Sequence, residues 1–252
     1  MCNTASNDDD RQAGSTGVDG QVANPRTLDP RALTCYFVTG RIPDLDWEEE
    51  RGEITRIAAE AAAGGAGVIQ VRSKPITVRQ LTELSIKVAA AVADANPNAV
   101  VLIDDRVDVA AALMAEHNIH GVHIGQDDLD LRLARAVLGE NAIIGLTTGT
   151  LKLVEGANDY ADVIDYVGAG PFRPTPTKNS GREPLGLTGY PALVAASEVP
   201  VVAIGDVRAE DATELAATGV AGLAIVRGIM QAEDPKAYAE SVVSQFSGAN
   251  ER

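Results

Sequence analysis

The chain has 252 residues, of which 45% are hydrophobic, so it can form a full core and has the length of one α/β barrel. Its 36 Asp and Glu outnumber 21 Lys and Arg, and the net charge of −15 argues against binding to nucleic acid or anionic membranes. Two cysteines, Cys2 and Cys35, and the lack of a long apolar run or signal-peptide pattern predict a cytoplasmic protein without disulfides.

The N-terminal segment differs in composition from the rest of the chain. Residues 1–31 are rich in Asp, Asn, Gly and Pro and show no apolar periodicity, which predicts a disordered tail before a domain over residues 32–252. A solvated tail is the simpler interpretation, and an arm that binds a partner is the alternative.

From residue 32 onward, short apolar segments alternate with longer segments of helical pattern. Predicted strands cover residues 33–39, 68–71, 100–103, 121–124, 142–145, 163–167, 201–204 and 222–226. Predicted helices cover residues 47–63, 77–95, 107–115, 128–138, 150–157, 188–197, 209–217 and 235–246. Eight such repeats predict a single (β/α)₈ TIM barrel; a doubly wound sheet is the alternative, but no G-x-G-x-x-G follows the first strand.

Two helix ends carry local signals that support these assignments. Thr77 with Gln80 has the spacing of a capping box at the start of the second helix. Gly64 and Gly65 are placed to end the first helix before the second strand.

The second strand becomes polar where it ends. Gln70, Arg72 and Lys74 alternate along the chain, so their side chains can point to the same face. An amide and two cations at the carboxyl end of a barrel strand suit an anionic ligand that also accepts hydrogen bonds.

Acidic residues follow strands three and four. Asp105 and Asp128 are candidate Mg²⁺ ligands, because Mg²⁺ takes one or two protein carboxylates and completes its shell with water and phosphate oxygens. The alternative is that both residues cap the helices that follow.

The ends of the later strands suggest a second anion site. Gly205, Arg227 and Gly228 follow strands seven and eight, where barrels often hold a phosphate monoester on backbone N–H groups. Asp206 does not suit that use, since its charge opposes a phosphate. The hydroxyl-rich end of strand five, around Thr147, is a weaker phosphate signal that a helix cap explains equally well.

Three histidines, His117, His120 and His123, are spaced by three and suggest a metal cluster at first sight. They straddle a helix–strand turn, so helical spacing does not persist, and supporting structural roles are the better interpretation. No Ser-His-Asp arrangement or catalytic cysteine is evident.

A long connection of about 20 residues, 168–187, joins strand six to helix six. Its prolines, hydroxyls and Lys178 favour a mobile lid over the barrel mouth, and a decorative surface loop is the alternative. Two anion sites and a metal in one mouth indicate group transfer between a diphosphate and a monophosphate.

These motifs together resemble the thiamine-phosphate synthase family over residues 33–246. The matching residues, in family order, are Tyr36 to Thr39, Gln70-x-Arg72-x-Lys74, Asp105-Arg106, Gly121-Val122-His123-x-Gly125-Gln126-x-Asp128, Gly168-x-Gly170-Pro171, Pro174-Thr175-x-Thr177-Lys178, Gly186-Leu187 and Ala203-Ile204-Gly205.

The resemblance implies an enzyme of thiamine biosynthesis that joins a pyrimidine diphosphate to a thiazole phosphate, releasing diphosphate, with Mg²⁺ as cofactor. It implies catalytic roles for Arg72, Lys74 and Lys178. By position, the pyrimidine diphosphate is bound by Gln70, Arg72, Lys74, Asp104, Thr147 and Lys178. The thiazole phosphate is bound by Thr175, Thr177, Gly205, Asp206, Val226 and Arg227, and Mg²⁺ by Asp105 and Asp128. The partners are small molecules only, and a homo-oligomer is left open.

The chain departs from the family pattern at four positions. Asp104 stands where Asn is usual, and Thr147 where Ser is usual. Asp206 replaces a glycine, and Arg227 stands where serine is common. We hypothesise that Asp206 and Arg227 form a compensating pair beside the phosphate. A thiazole tautomerase of the same fold and a non-catalytic sensor of thiamine precursors remain alternatives.

Overall fold

A closed barrel of parallel strands forms the centre of the protein, seen in a computed structural model that describes residues 28–174 and 181–250. The strands are β1 Cys35–Val38, β2 Val68–Val71, β3 Val100–Asp104, β4 Gly121–Ile124, β5 Ile143–Thr148, β6 Tyr166–Ala169, β7 Val201–Ile204 and β8 Gly222–Ile225. They follow one another in chain order, and β1 closes the ring by pairing with β8. The predicted TIM-barrel fold is confirmed.

Helices cover the outside of the barrel. They are α1 Trp47–Ala63, α2 Val78–Ala95, α3 Val107–Leu113, α4 Leu131–Leu138, α5 Leu151–Ala157, α6 Gly186–Ala196, α7 Ala212–Ala216, α8 Arg227–Met230 and α9 Pro235–Asn250. The predicted capping box at Thr77 and Gln80 is present at the start of α2, and Gly64 ends α1 as expected. No helix in the described ranges is long and apolar enough to cross a membrane.

Several predicted boundaries are wrong. Residues 33 and 34 belong to the 3₁₀ helix before β1, and β5 extends to Thr148 instead of ending at residue 145. Three further differences have a clear local cause. Strand β6 begins at Tyr166 rather than at residue 163, because Val163 and Ile164 are buried in the turn that precedes it. Helix α4 begins at Leu131 rather than at residue 128, since Asp130 caps it by accepting from two backbone N–H groups. The helix predicted over residues 209–217 is a 3₁₀ turn, Ala209–Asp211, followed by α7.

The first part of the chain, residues 1–27, lies outside the described residues, so the predicted tail stays a prediction. The described chain begins at Leu28 and enters β1 through a 3₁₀ helix, Pro30–Thr34. Asp29 caps this helix by accepting a hydrogen bond from the backbone N–H of Arg31, 2.9 Å away.

The hydrophobic core has two layers, because alternate side chains of each strand point in and out of the barrel. Outward residues such as Phe37 and Ile69 pack against the helices. Inward residues fill the barrel with a smaller cluster that includes Tyr36, Val68 and Tyr166. Gln70 is the next inward position of β2 after Val68, which places its amide at the carboxyl end of the barrel.

Candidate active site

A cavity of about 910 Å³, part of it open to solvent, lies at the carboxyl ends of the strands. The predicted site residues that line it are Gln70, Arg72, Asp104, Thr147, Gly205, Asp206, Val226 and Arg227. Lys74 lines an adjoining cavity that shares Arg72 and Asp104. Three further predicted residues, Thr175, Thr177 and Lys178, fall outside the ranges that the structure describes.

The Gln70, Arg72 and Lys74 side chains converge on the carboxylate of Asp104, which is only 6% exposed. Gln70 Nε2 donates to Asp104 Oδ1 at 2.9 Å. Asp104 Oδ2 lies 2.8 Å from Lys74 Nζ and 3.5 Å from Arg72 Nε. Burial raises the pKa of Asp104, as does the neighbouring Asp105 carboxylate, while Lys74 and Arg72 oppose that rise. The carboxylate therefore organises the cations at this end of the cavity.

Lys74 links this cluster to the acidic residue that follows β3. Its ammonium also forms an ion pair with Asp105. Burial alone lowers the pKa of Lys74, but its bonds to Asp104 and Asp105 outweigh that effect and the pKa is raised. Lys74 is therefore a charged group shared by two carboxylates.

Asp105 and Asp128 come together beside Lys74. Asp105 has a left-handed backbone, with φ of 59°, a conformation that Asp tolerates better than most residues. Asp128 Oδ2 accepts a hydrogen bond from the backbone N–H of Gly125 at 2.6 Å. Burial raises the pKa of Asp128, and the Asp105 carboxylate raises it further.

The alternative that these two residues are helix caps is wrong. Helix α3 begins after Arg106, which makes no side-chain cap, and α4 is capped by Asp130. Asp105 and Asp128 are therefore not explained by capping of the helices that follow them.

The donor set suits a divalent cation that needs few protein ligands. Within residues 28–174 and 181–250, no three His, Cys, Asp or Glu side chains gather as a complete metal cage. Asp105 and Asp128 instead form a pair of carboxylates in which one raises the pKa of the other, and a cation relieves such repulsion. One or two carboxylates are what Mg²⁺ commonly takes from a protein.

The histidines do not form the metal cluster that their spacing suggests. His120 Nδ1 accepts a hydrogen bond from the backbone N–H of Val101 at 3.1 Å, and burial lowers its pKa. His123 points into the barrel, where its Nε2 lies 2.9 Å from Thr147 Oγ1. The prediction of supporting roles is confirmed for these two residues.

At the opposite side of the cavity, the hypothesised Asp206–Arg227 pair is present. Asp206 Oδ1 accepts from Arg227 Nη2, and Asp206 Oδ2 lies 3.5 Å from Arg208 Nη2. Asp206 has φ of 56°, which is the conformation that a glycine would adopt most easily there. The negative charge of Asp206, which by itself opposes a phosphate, is therefore paired with guanidinium groups.

Gly205 is required by close packing rather than by flexibility alone. Its φ is 100°, and a Cβ added there would lie 2.6 Å from Pro171 Cα. The loop backbone binds the same strand end, since Phe172 N donates to Ile204 O at 2.8 Å and Arg173 N donates to Gly205 O at 3.0 Å. The start of the long loop is thus hydrogen-bonded to β7. The lid predicted over residues 168–187 stays a prediction, because residues 175–180 fall outside the described ranges.

Two residues that line the cavity were not assigned to the site by the sequence. His123 lines it from β4, although the sequence predicted only a supporting role for it. Arg182 lines it from the far side of the loop, where its Nη1 donates to Thr148 O at 2.9 Å. Arg182 follows no strand and belongs to no motif, so the sequence held no signal for it.

Comparisons with known proteins agree with this geometry. The family model described as thiamine monophosphate synthase (TMP-TENI) matches residues 35–229. Thiamine-phosphate synthase of Corynebacterium jeikeium is 76% identical over 220 residues, covering 87% of this chain and 97% of that protein. The Corynebacterium efficiens enzyme of the same name is 57% identical over 217 residues, covering 85% of this chain and 95% of that protein.

Among solved structures, thiamine phosphate pyrophosphorylase from Pyrococcus furiosus superposes with a TM-score of 0.72 at 30% identity, covering 87% of this chain and 98% of that one. The relatives are matched over nearly their whole length, and the match includes every described strand end that builds the cavity. The chain therefore belongs to the thiamine monophosphate synthase family and is an enzyme.

Proposed function

We propose that this enzyme joins 4-amino-2-methyl-5-(diphosphooxymethyl)pyrimidine to thiazole phosphate, giving thiamine phosphate and diphosphate. The observation that carries the proposal is the pairing of two different anion-binding ends in one cavity. A cluster of cations and carboxylates around Asp104 stands at one end, and the Asp206–Arg227 pair stands at the other. The names of the relatives support the same reaction.

The first end binds the pyrimidine diphosphate. Arg72 and Lys74 supply positive charge, and Gln70 and Asp104 face the pyrimidine with an amide and a carboxylate. Thr147 contributes a hydroxyl from the end of β5. In this proposal Lys178, from the loop, joins the same anion.

Asp105 and Asp128 would hold Mg²⁺. When bound there, Mg²⁺ supplies positive charge beside the diphosphate and so favours its departure. The residues of the chain contribute by keeping two carboxylates together and by placing Lys74 next to them.

The chemistry then needs no protein nucleophile. The bond between the pyrimidine CH₂ and the diphosphate oxygen breaks, and its electron pair leaves with the diphosphate. The thiazole nitrogen supplies the pair for the new C–N bond. Arg72, Lys74 and Lys178 act by positioning the diphosphate and by stabilising the negative charge that it gains. Exclusion of water protects the electron-poor CH₂ from hydrolysis.

The second end binds the thiazole phosphate. Gly205 and Val226 bring backbone close to the cavity, and Arg227 offers a guanidinium that Asp206 holds in place. Thr175 and Thr177 complete this end in the proposal. A guanidinium can bind a phosphate through two parallel hydrogen bonds, which suits a monoester.

The two alternatives make different predictions for this cavity. A thiazole tautomerase has no need of a diphosphate site, so it gives no reason for Arg72, Lys74, Asp105 and Asp128 to converge. A sensor would bind both precursors without joining them.

The deciding experiment mixes both precursors with Mg²⁺ and measures thiamine phosphate and diphosphate. We expect both products in equal amounts and a large loss of rate in Lys178→Ala. The control is the separate variant Lys152→Ala, which makes the same change on the exposed face of α5. Tight binding of both precursors without product would contradict the proposal and favour the sensor.

A further inference from the structure

A chain of hydrogen bonds runs through the barrel interior and ends at the cavity. Tyr36 Oη lies 2.7 Å from Tyr166 Oη, and Tyr166 Oη lies 2.9 Å from His123 Nδ1. His123 Nε2 in turn lies 2.9 Å from Thr147 Oγ1. The two tyrosines are almost fully buried, whereas Thr147 is half-buried and lines the cavity.

Packing holds these rings in place. A Cβ added to Gly145 would lie 2.1 Å from Tyr166 Cζ and 2.6 Å from His123 Nδ1. A Cβ added to Gly168 would lie 3.2 Å from His123 Cε1. The neighbouring strands therefore carry glycines where the two rings need room, and the hydrogen-bond order is fixed by the fold.

The direction of the chain follows from its buried end. Within the described ranges, the Tyr36 hydroxyl has Tyr166 as its one hydrogen-bond partner. A buried hydroxyl proton without an acceptor is unfavourable, so Tyr36 donates to Tyr166. The proton of Tyr166 also needs an acceptor, and His123 Nδ1 is the partner left for it within the described ranges, so Tyr166 donates to His123 Nδ1. Since Nδ1 accepts, the ring proton is on Nε2, which donates to Thr147 Oγ1.

We infer that this chain fixes the Thr147 hydroxyl as a hydrogen-bond donor into the cavity, directed at the diphosphate, and that Tyr166 and His123 are positioning residues for it. If these hydrogen bonds ran in the opposite direction, Thr147 would donate its proton to His123 Nε2. Its hydroxyl oxygen would then offer only lone pairs to an anion. The identity of the ligand rests on the proposed function. The direction of the hydrogen bonds depends only on the contacts inside the barrel.

The consequence for the reaction is a donor that is set before the substrate arrives. Diphosphate gains negative charge as the C–O bond breaks, and a donor already oriented toward it needs no reorganisation. A hydrogen bond to a charged group of this kind changes affinity by about 10-fold to 100-fold.

The direct test is nuclear magnetic resonance of the three histidines in the full-length protein labelled with ¹⁵N, with the His123 signal identified by its loss in His123→Gln. We expect Nε2 protonated and Nδ1 unprotonated, with and without Mg²⁺ and inorganic diphosphate. A proton on Nδ1 would overturn the inference. The variant serves only to identify the signal, and the tautomer is determined in the wild-type protein.

Binding of inorganic diphosphate with Mg²⁺ tests the same chain energetically. We expect Thr147→Val to weaken binding by about 10-fold or more and Thr147→Ser to retain it. Tyr166→Phe should weaken binding and give a mixture of His123 tautomers, but cost little in the Thr147→Val background. Independent, multiplying losses in the double variant would contradict the coupling.

Tyr36→Phe is the matched control, since it also removes one buried hydroxyl. It should keep the His123 tautomer, because Tyr166 then has His123 as its acceptor. If the precursors give no thiamine phosphate while His123 has the expected tautomer, the proposed function fails and the hydrogen-bond direction stands.

Discussion

The two ends of the cavity differ in their balance of charge. At the proposed pyrimidine-diphosphate end, Asp104, Asp105 and Asp128 lie around two cations, Arg72 and Lys74. Among the residues that the structure describes, carboxylates exceed cations there, although the expected ligand is an anion. This end is built to receive a further cation along with its substrate.

The proposed thiazole-phosphate end is arranged differently. Asp206 pairs with the guanidinium groups of Arg227 and Arg208, and Arg208 also lies 3.7 Å from Glu210. We expect a monophosphate to bind there without a metal, because the guanidinium of Arg227 lines the cavity and can donate two hydrogen bonds to it. In a chain with a net charge of −15, anion binding depends on these local arrangements rather than on the overall field.

The largest effect is expected from a variant that removes a carboxylate where Mg²⁺ is proposed to bind. Asp128→Asn removes one of the two carboxylates but keeps an oxygen that can accept from Gly125. We expect kcat/KM to fall by about 100-fold or more, because stabilisation of the leaving charge is lost, and the Mg²⁺ requirement to move to higher concentration.

Asp127→Asn is the control for that variant, since Asp127 is the exposed neighbour of Asp128 and carries the same charge. Steady-state kinetics over a range of Mg²⁺ concentrations checks both. Equal losses in the two variants would point to a general charge effect and not to a metal site.

The next largest effect is expected from variants at the proposed thiazole-phosphate end. Arg227→Ala should raise KM for thiazole phosphate by about 10-fold or more, as expected for a lost hydrogen bond to a charged group. KM for the pyrimidine diphosphate should change little. Asp206→Asn should lower KM for thiazole phosphate, because it leaves Arg227 fully available and Asn tolerates the left-handed backbone. An unchanged KM in Arg227→Ala would show that Arg227 is not a phosphate ligand.

A smaller effect concerns Asp104, where the family usually has Asn. Asp104→Asn removes a negative charge beside Arg72 and Lys74 while its oxygen can still accept from Gln70. We expect affinity for diphosphate in the presence of Mg²⁺ to rise by about 3-fold to 10-fold, because Arg72 and Lys74 would no longer be partly neutralised by the Asp104 carboxylate. Weaker binding, measured by calorimetry, would mean that Asp104 orders these cations more than it neutralises them.

The sequence predicted the barrel from strand period, and it predicted the two ends of the cavity from polar strand ends together with the family resemblance. Gln70, Asp104 and Thr147 line the cavity as expected, and the Asp206–Arg227 pair forms as hypothesised. The sequence also predicted a supporting role for His123, but not its partners.

What the sequence did not predict depends on contacts between distant segments. The convergence of Arg72 and Lys74 on Asp104, and of Tyr36 on Tyr166, joins residues on different strands. Arg182 reaches the cavity from a loop that has no periodic pattern. The start of β6 was misplaced because buried apolar residues in a turn have the same composition as a strand.

The most direct test of the difference between the two ends is calorimetry of each ligand with and without Mg²⁺. Thiazole phosphate should bind with nearly the same affinity in Mg²⁺ and in chelator. Diphosphate should bind strongly only with Mg²⁺, and Asp128→Asn should remove most of that gain. Equal dependence of both ligands on Mg²⁺, or strong diphosphate binding in chelator, would contradict the assignment of the metal to one end of the cavity.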